Sequence, residues 1–407
     1  MKSEKLERYC DVISGYAFKS TDWRDSGVPV VKIGNISNGT DIIFDEQIQY
    51  VEEEFKNKID SKYLICKGDI LLSLTGSHIN QPNSMVGRCC RNRQNKLYFL
   101  NQRAGKVIPF SSVDKSYLYY LLSTKEIKYA IANKAYGGAN QVNISPRDIK
   151  NIRWTFPRLE IQQRIASILS AYDDLIENNN RRIKILEQMA ENLYKEWFVR
   201  FRFPGYEQAE FENGIPKGWE TKRLGDELEV KRGGSPRPIH EYISDTGLKW
   251  LKISDATQSD NPYIVNIEES IIEEGLKKTV YLKAGSLVLS NSATPGLPRI
   301  LTIDSCIHDG WLYFPKKKLS NEYLYLLFNH IRPHLLSKGN GAIFTNLKTD
   351  ILKRYLFTKP TDIILSLFND LVKPIFGQIY SLTMKNQNLT KQRDMLLPRL
   401  MSGKLEV

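Results

Sequence analysis

Residues 157–205 read PRLEIQQRIASILSAYDDLIENNNRRIKILEQMAENLYKEWFVRFRFPG. From Glu160 to Phe198 there is neither glycine nor proline, and apolar or small residues recur at Ile161, Ile165, Ile168, Tyr172, Ile176, Ile183, Leu186, Ala190, Leu193 and Trp197. Steps of three and four place these side chains along one face of an α-helix. The one step of seven, from Ile176 to Ile183, leaves a seam position among Asn178, Asn179 and Asn180. Such a polar interruption fixes register in paired helices. At 1.5 Å per residue the stretch predicts a rod of roughly 55–60 Å, about three times the usual length of a globular helix. A seam of that length wants a partner.

A second stretch, from Asp362 to Leu397, supplies one. Ile364, Phe368, Leu371, Ile375, Ile379, Leu382, Leu389 and Leu396 fall at comparable steps, and the two seams predict that the helices pair with each other as a coiled coil. Pro374 is expected to kink the second helix early, because proline removes a ladder hydrogen bond and clashes with the preceding turn. In the second helix the seam is also more polar, between Lys385 and Gln392.

What precedes each helix is written twice. Leu6 and Gly15 recur as Leu224 and Gly233 at the same spacing, Val30-Val31-Lys32-Ile33 as Trp250-Leu251-Lys252-Ile253, and the turn and buried strand from Lys67 to Ser73 as Lys283 to Ser290. Tyr117 to Leu122 matches Tyr323 to Phe328, and each is followed by a glycine-asparagine loop, GGANQVN at 137–143 and GNGAIFTN at 339–346. Pro157 and Pro360 close the two copies. The common order and the long period identify a duplicated domain rather than a solenoid, whose repeats are roughly 20–50 residues. Between the copies, Arg200-Phe201-Arg202-Phe203-Pro204-Gly205 and the acidic stretch after it read as a linker into Ile215-Pro216-Lys217-Gly218-Trp219. The division expected is a globular unit at 1–157, a long helix at 158–200, a linker at 201–215, a second unit at 216–360, and a helix with tail at 361–407.

Composition narrows the function. The chain of 407 residues carries 58 basic and 46 acidic side chains, a net +12, which favours a polyanionic partner such as nucleic acid. No apolar run is long enough for a membrane span. MKSEKLERYCD lacks the apolar core of a signal peptide, and the five cysteines form no CxxC pair. A reduced, cytoplasmic protein is expected.

Catalytic signatures are missing. Asp260-Asn261-Pro262-Tyr263 lacks the second proline and the preceding glycine-rich turn of an adenine methyltransferase, and reads as a surface turn. There is no GxxxxGK[ST] phosphate loop, no GxSxG, and no HExxH around His330 and His334. Loop chemistry is abundant instead. In the first copy, Lys19, Arg88, Arg91, Arg93, Gln102, Arg103, Tyr136, Asn140, Gln141 and Asn143 are candidate DNA contacts. In the second they are Lys231, Arg232, Arg237, Asn291, Arg299, Asn340 and Asn346. Lysine and arginine bind phosphate, arginine forks onto guanine, and asparagine or glutamine forks onto adenine. Along the seams, Ile165, Tyr172, Ile183, Leu193, Trp197, Phe368, Ile379 and Leu396 are the candidates for helix pairing and partner contact.

Taken with the stretch from Pro157 to Gly205, IPKGWE at 215–220, LLPRLMSGKL at 396–405, SGYAF at 14–18 and KGDILLSLTG at 67–76, the whole chain resembles the specificity subunits of type I restriction-modification systems. The resemblance implies an α+β fold, with two duplicated target recognition domains separated by two long antiparallel coiled-coil helices. It implies that each domain reads one half of a split double-stranded DNA sequence, and that the helices dock two methyltransferase subunits. Those partners would bring S-adenosylmethionine and methylate adenine N6. Two motor and nuclease subunits using ATP and Mg would complete a restricting complex, and this chain would bind no cofactor itself. Two other readings stand beside it, a coiled-coil scaffold without a DNA role and a stand-alone DNA-modifying enzyme of unfamiliar fold. If the rod sets the gap between half-sites, adding or removing one helical turn in it should change the number of unspecified base pairs in the methylation motif, as methylome mapping would read; an unchanged gap would refute the idea.

Overall fold

The computed structural model describes residues 3–37, 41–44, 48–77, 86–138, 141–337 and 346–407. They gather into two compact units, Met1–Asp174 with Thr390–Val407, and Leu175–Leu389. Each unit thus combines one copy of the repeat with a part of both long helices, where the sequence division had set the helices apart from the globular copies.

The first unit is built on a four-stranded antiparallel sheet in the order Cys10–Ser14, Ala104–Pro109, Ile70–Ser73, Cys89–Arg91. Ile70–Ser73 is buried throughout, because both of its faces are covered. A second sheet carries the parallel pair Val28–Val31 and Tyr98–Leu100. The Lys115–Leu122 helix, capped by the Asp114 carboxylate accepting the Tyr117 N–H (2.8 Å), packs Tyr117 to Leu122 into the core. Ile165 and Leu169 of the first long helix share that core with Leu400 and Met401 of the second.

The second unit repeats the plan. Lys231–Arg232, Trp311–Tyr313, Leu287–Ser290 and Pro298–Leu301 pair antiparallel in that order, and Leu248–Leu251 lies parallel to Ser305–Ile307. Its core takes in the aromatic side chains of Trp197, Phe198, Trp219, Tyr323 and Phe368.

The first long helix runs Leu159–Tyr194 and ends in a π-helical turn, Lys195–Val199, not in the regular α-helix expected to Phe198. The second runs Asp362–Met401 without a break. Pro374 lies inside this helix, between Val372 and Phe376, whose side chains are both buried in the core. Within the second unit Asn179 Nδ2 donates to Asn386 Oδ1 (2.8 Å) and Asn386 Nδ2 to Asn180 Oδ1 (2.7 Å), while Trp197 and Phe198 meet Phe368. Number rises along one helix as it falls along the other, so they are antiparallel. The first unit shows the same sense, with Asp173 on Arg393 (2.7 Å) and Ile165 sharing its core with Leu400. Asn179, in the gap of the seam, is the interruption that the sequence placed among three asparagines.

Among the described residues no helix is long and apolar enough to cross a membrane.

Candidate nucleic-acid interface

One corner of the first unit is tied together by main-chain hydrogen bonds. Gly15 N–H donates to the Ala104 carbonyl (3.0 Å) and Tyr16 N–H to Leu100 (2.8 Å). Asn101 N–H donates to Val31 (3.0 Å), Ala104 N–H back to Asn101 (2.8 Å), Leu74 N–H to Arg103 (3.0 Å), and Ile144 N–H to Leu74 (2.9 Å). The Thr75 hydroxyl donates to Asn143 Oδ1 (2.7 Å), joining the Tyr136–Asn143 hairpin to the same corner. Glycine is required at position 15, since a Cβ there would lie 2.3 Å from the Asn101 carbonyl oxygen.

The second unit repeats five of these six main-chain bonds. Gly233 N–H donates to Trp311 (2.9 Å), Gly234 N–H to Ile307 (3.2 Å), Trp311 N–H to His308 (3.1 Å), Asn291 N–H to Gly310 (2.8 Å), and Leu347 N–H to Asn291 (2.6 Å). A Cβ on Gly233 would fall 2.3 Å from the His308 carbonyl oxygen. Ser292 bridges to Asn346 as Thr75 pairs with Asn143. By these bonds Gly15 corresponds to Gly233, Leu74 to Asn291, Arg103 to Gly310, and Gln102 to Asp309, each in its own unit.

Side chains on this shared frame differ. In the first unit Gln102, Arg103, Tyr136 and Gln141 are exposed. In the second, Asp309 is a hub: Ser235 Oγ donates to its Oδ1 (2.8 Å), Arg237 Nη2 to its Oδ2 (3.5 Å), Arg232 Nη2 stands 3.7 Å from Oδ2, and Arg232 Nε donates to its main-chain carbonyl. Burial alone would raise the Asp309 pKa, but the Ser235 hydroxyl and the neighbouring guanidinium groups hold it below its ordinary value. Burial lowers that of His308, which favours the neutral imidazole; its Nδ1 accepts the Gly310 N–H (2.8 Å). Asn291 is 3% exposed and donates to the Asp309 carbonyl (3.0 Å); among the described residues its Oδ1 has no partner.

The corner therefore gathers Gln102, Arg103, Tyr136, Gln141 and Asn143 in one unit, and Arg232, Arg237, Asn291 and Asn346 in the other. Lys19 is exposed at the turn just after the Gly15–Phe18 segment. Arg88 is half-buried, its main chain paired with Ser73 and its guanidinium pKa lowered by burial. Four further basic candidates are engaged within the chain. Arg91 lies over the Tyr119 ring (4.9 Å) and donates to Ser116 (3.2 Å). Arg93 pairs with Asp173 and Asp174. Lys231 pairs with Glu229 (3.0 Å). Arg299 is buried, its guanidinium donating to the carbonyls of Ala256, Pro298 and Ser259. Asn140 and Asn340 lie outside the described residues.

Seam candidates divide likewise. Ile165, Ile183, Trp197, Phe368 and Ile379 are buried in the cores of their own units, and Tyr172, Leu193 and Leu396 are half-buried. The buried five make their seam contacts inside the chain. Sequence reasoning missed Asp309, His308 and Ser235. Extending the repeat beyond Leu100 and Ile307, so that Asn101-Gln102-Arg103 faced His308-Asp309-Gly310, would have found the first two.

No chemistry of a base pocket is present at Asp260–Tyr263. Asn261 Oδ1 accepts the Tyr263 N–H (3.0 Å), closing a turn, and the buried tyrosine donates its hydroxyl to the Phe376 carbonyl (3.1 Å). Among the described residues no cluster of His, Cys, Asp and Glu is placed to hold a metal ion.

Residues 2–188 and 216–362 match the family model described as the type I restriction modification DNA specificity domain. The chain is 30% identical over 327 residues to the type I restriction enzyme MjaIX specificity subunit of Methanocaldococcus jannaschii, covering 75% of this chain and 73% of that one. It is 24% identical to the type I restriction enzyme HindI specificity subunit of Haemophilus influenzae, covering 85% and 88%. In fold it is similar to the crystal structure of a type I restriction-modification S subunit from M. genitalium, with a TM-score of 0.56 at 14% identity over 98% of this chain and 96% of that one.

Proposed function

Since the chain belongs to the type I restriction-modification DNA specificity family, we propose that its two units each read one half of an asymmetric, bipartite double-stranded DNA target. The observation that carries this reading is the corner built twice. A common main-chain frame gives both units a comparable edge to present to a groove, while the different side chains on it offer different donors and acceptors, so the half-sites differ. The net +12 charge supplies the sequence-independent attraction to phosphate. Arg91, Arg93 and Arg299, with partners inside the chain, act in this reading as scaffold.

In the same reading the chain is non-catalytic and binds no cofactor. It docks two methyltransferase subunits, which bind S-adenosylmethionine and methylate adenine N6 in the cytoplasm, and a restricting complex adds two motor and nuclease subunits that use ATP and Mg. Exposed apolar side chains on the long helices, among them Leu175, Ile185 and Met189 on the first and Ile363, Leu367 and Leu371 on the second, offer surface for such docking.

Mapping N6-methyladenine in host DNA with the gene intact and deleted tests this. Loss of one asymmetric bipartite motif is expected on deletion, and a methylome that does not change would refute the reading. The complex should also bind DNA with steep salt dependence. A reader that neutralises roughly six to ten phosphates loses about 10³–10⁵ in affinity between 50 and 200 mM salt; affinity flat across that range would favour the scaffold alternative.

A further inference from the structure

The duplicated corner places one residue of each unit at the same point of the frame. Asn101 and Ala104 are held by hydrogen bonds, the Arg103 carbonyl is held by Leu74, and between them Gln102 is exposed. In the other unit the carbonyls of His308 and Gly310 are held by Trp311 and Asn291, and Asp309 stands between them. The turn backbone is held on both sides in each case, so the main chain keeps its course whichever side chain stands at this point.

The chemistry at this point differs between the units. Gln102 offers an amide, whose oxygen and NH₂ match the N6 and N7 edge of adenine. Asp309 is engaged by Ser235 and by the guanidinium groups of Arg232 and Arg237, which are otherwise exposed. A carboxylate that limits the freedom of two arginines presents planar forks suited to the O6 and N7 of guanine, and less ordering is needed when DNA arrives. On the reading of the two units as half-site readers, we infer that Gln102 and Asp309 are equivalent specificity-determining positions. Gln102 contacts an A·T pair directly. Asp309 is a positioning residue, acting on a G·C pair through Arg232 and Arg237.

The test uses the full chain co-expressed with its methyltransferase partner, in cells lacking other adenine methylation, with genome-wide mapping of N6-methyladenine for wild type, Gln102→Ala and Asp309→Asn. Gln102→Ala should relax one A·T position of one half-site by about 10-fold or more and leave the other half-site strict. Asp309→Asn, close in size to the native side chain, should relax one G·C position of the opposite half-site only. The strict half-site in each variant reports that the chain is folded and assembled. Both variants retaining the full wild-type motif would overturn the inference, as would relaxation at the other kind of base pair, or a uniform loss of methylation with no change of motif. A wild-type chain that imposes no bipartite motif would overturn the half-site reading itself, which separates that failure from the failure of these two positions.

Discussion

Replacing Asp173 by alanine should destabilise the first unit by about 3–5 kcal/mol, the cost of leaving buried charge without its partner. Asp173 is 6% exposed. Its carboxylate accepts from Arg393 Nη1 (2.7 Å) and from the Tyr120 hydroxyl (2.7 Å), and Arg93 Nη2 lies 3.7 Å away. It therefore joins both long helices to the Lys115–Leu122 helix. Burial works against the charge of Arg393, yet Asp173 and Asp394 raise its pKa overall; without Asp173 that support falls to Asp394, and the guanidinium, always protonated in proteins, is left as a charge short of its main partner. Asp394 and Asp174 keep partial hold of the two arginines, which places the expected loss nearer the lower end of the range. Denaturant unfolding of the full chain would measure it as a lower midpoint for the transition of the first unit. A loss below about 1 kcal/mol would mean that the cluster is solvated like a surface ion pair. The double variant Asp173→Leu with Arg393→Met should recover much of the loss, because the uncompensated charge goes with its partner.

Phe368→Ala should cost the second unit about 3–5 kcal/mol. The ring is fully buried, edge-on to Phe198 (4.7 Å), Trp197 (5.6 Å) and Tyr323 (6.0 Å), with Tyr194 at 6.4 Å. Truncation removes both its buried area and the aromatic contacts, and the surrounding rings are too rigid to collapse into the space. Calorimetry should show the transition of the second unit shifted to lower temperature, with Phe368→Leu intermediate. An alanine variant as stable as wild type would contradict the packing described.

The helices were legible because their signal is redundant. The apolar step of three or four is stated eight times between Ile161 and Trp197, and the absence of glycine and proline repeats the message. The gap between Ile176 and Ile183 marked the polar interruption, though not that Asn179, rather than a neighbour, would be the buried one facing Asn386. Pro374 is a local weak point for a helix, whereas the burial of Val372 and Phe376 beside it is a property of the whole unit that no single residue announces. The corner was legible only in part. Glycine, asparagine and arginine on duplicated loops pointed towards it, but charge says nothing about burial: Arg299 and Arg93 look like Arg103 in a sequence and have internal partners in the fold. Asp309 was hidden for the opposite reason, since a search for basic contacts passes over the acid that organises them.

The frame around Gln102 and Asp309 consists of peptide groups, which every amino acid except proline can supply in full. A substitution at Gln102, exposed on that frame, should therefore scarcely register in folding free energy while changing what the edge displays. Such an arrangement separates the persistence of the scaffold from the content of its message, so that one letter of one half of the address would change with a single codon while the other half and the helical seam stay as they were.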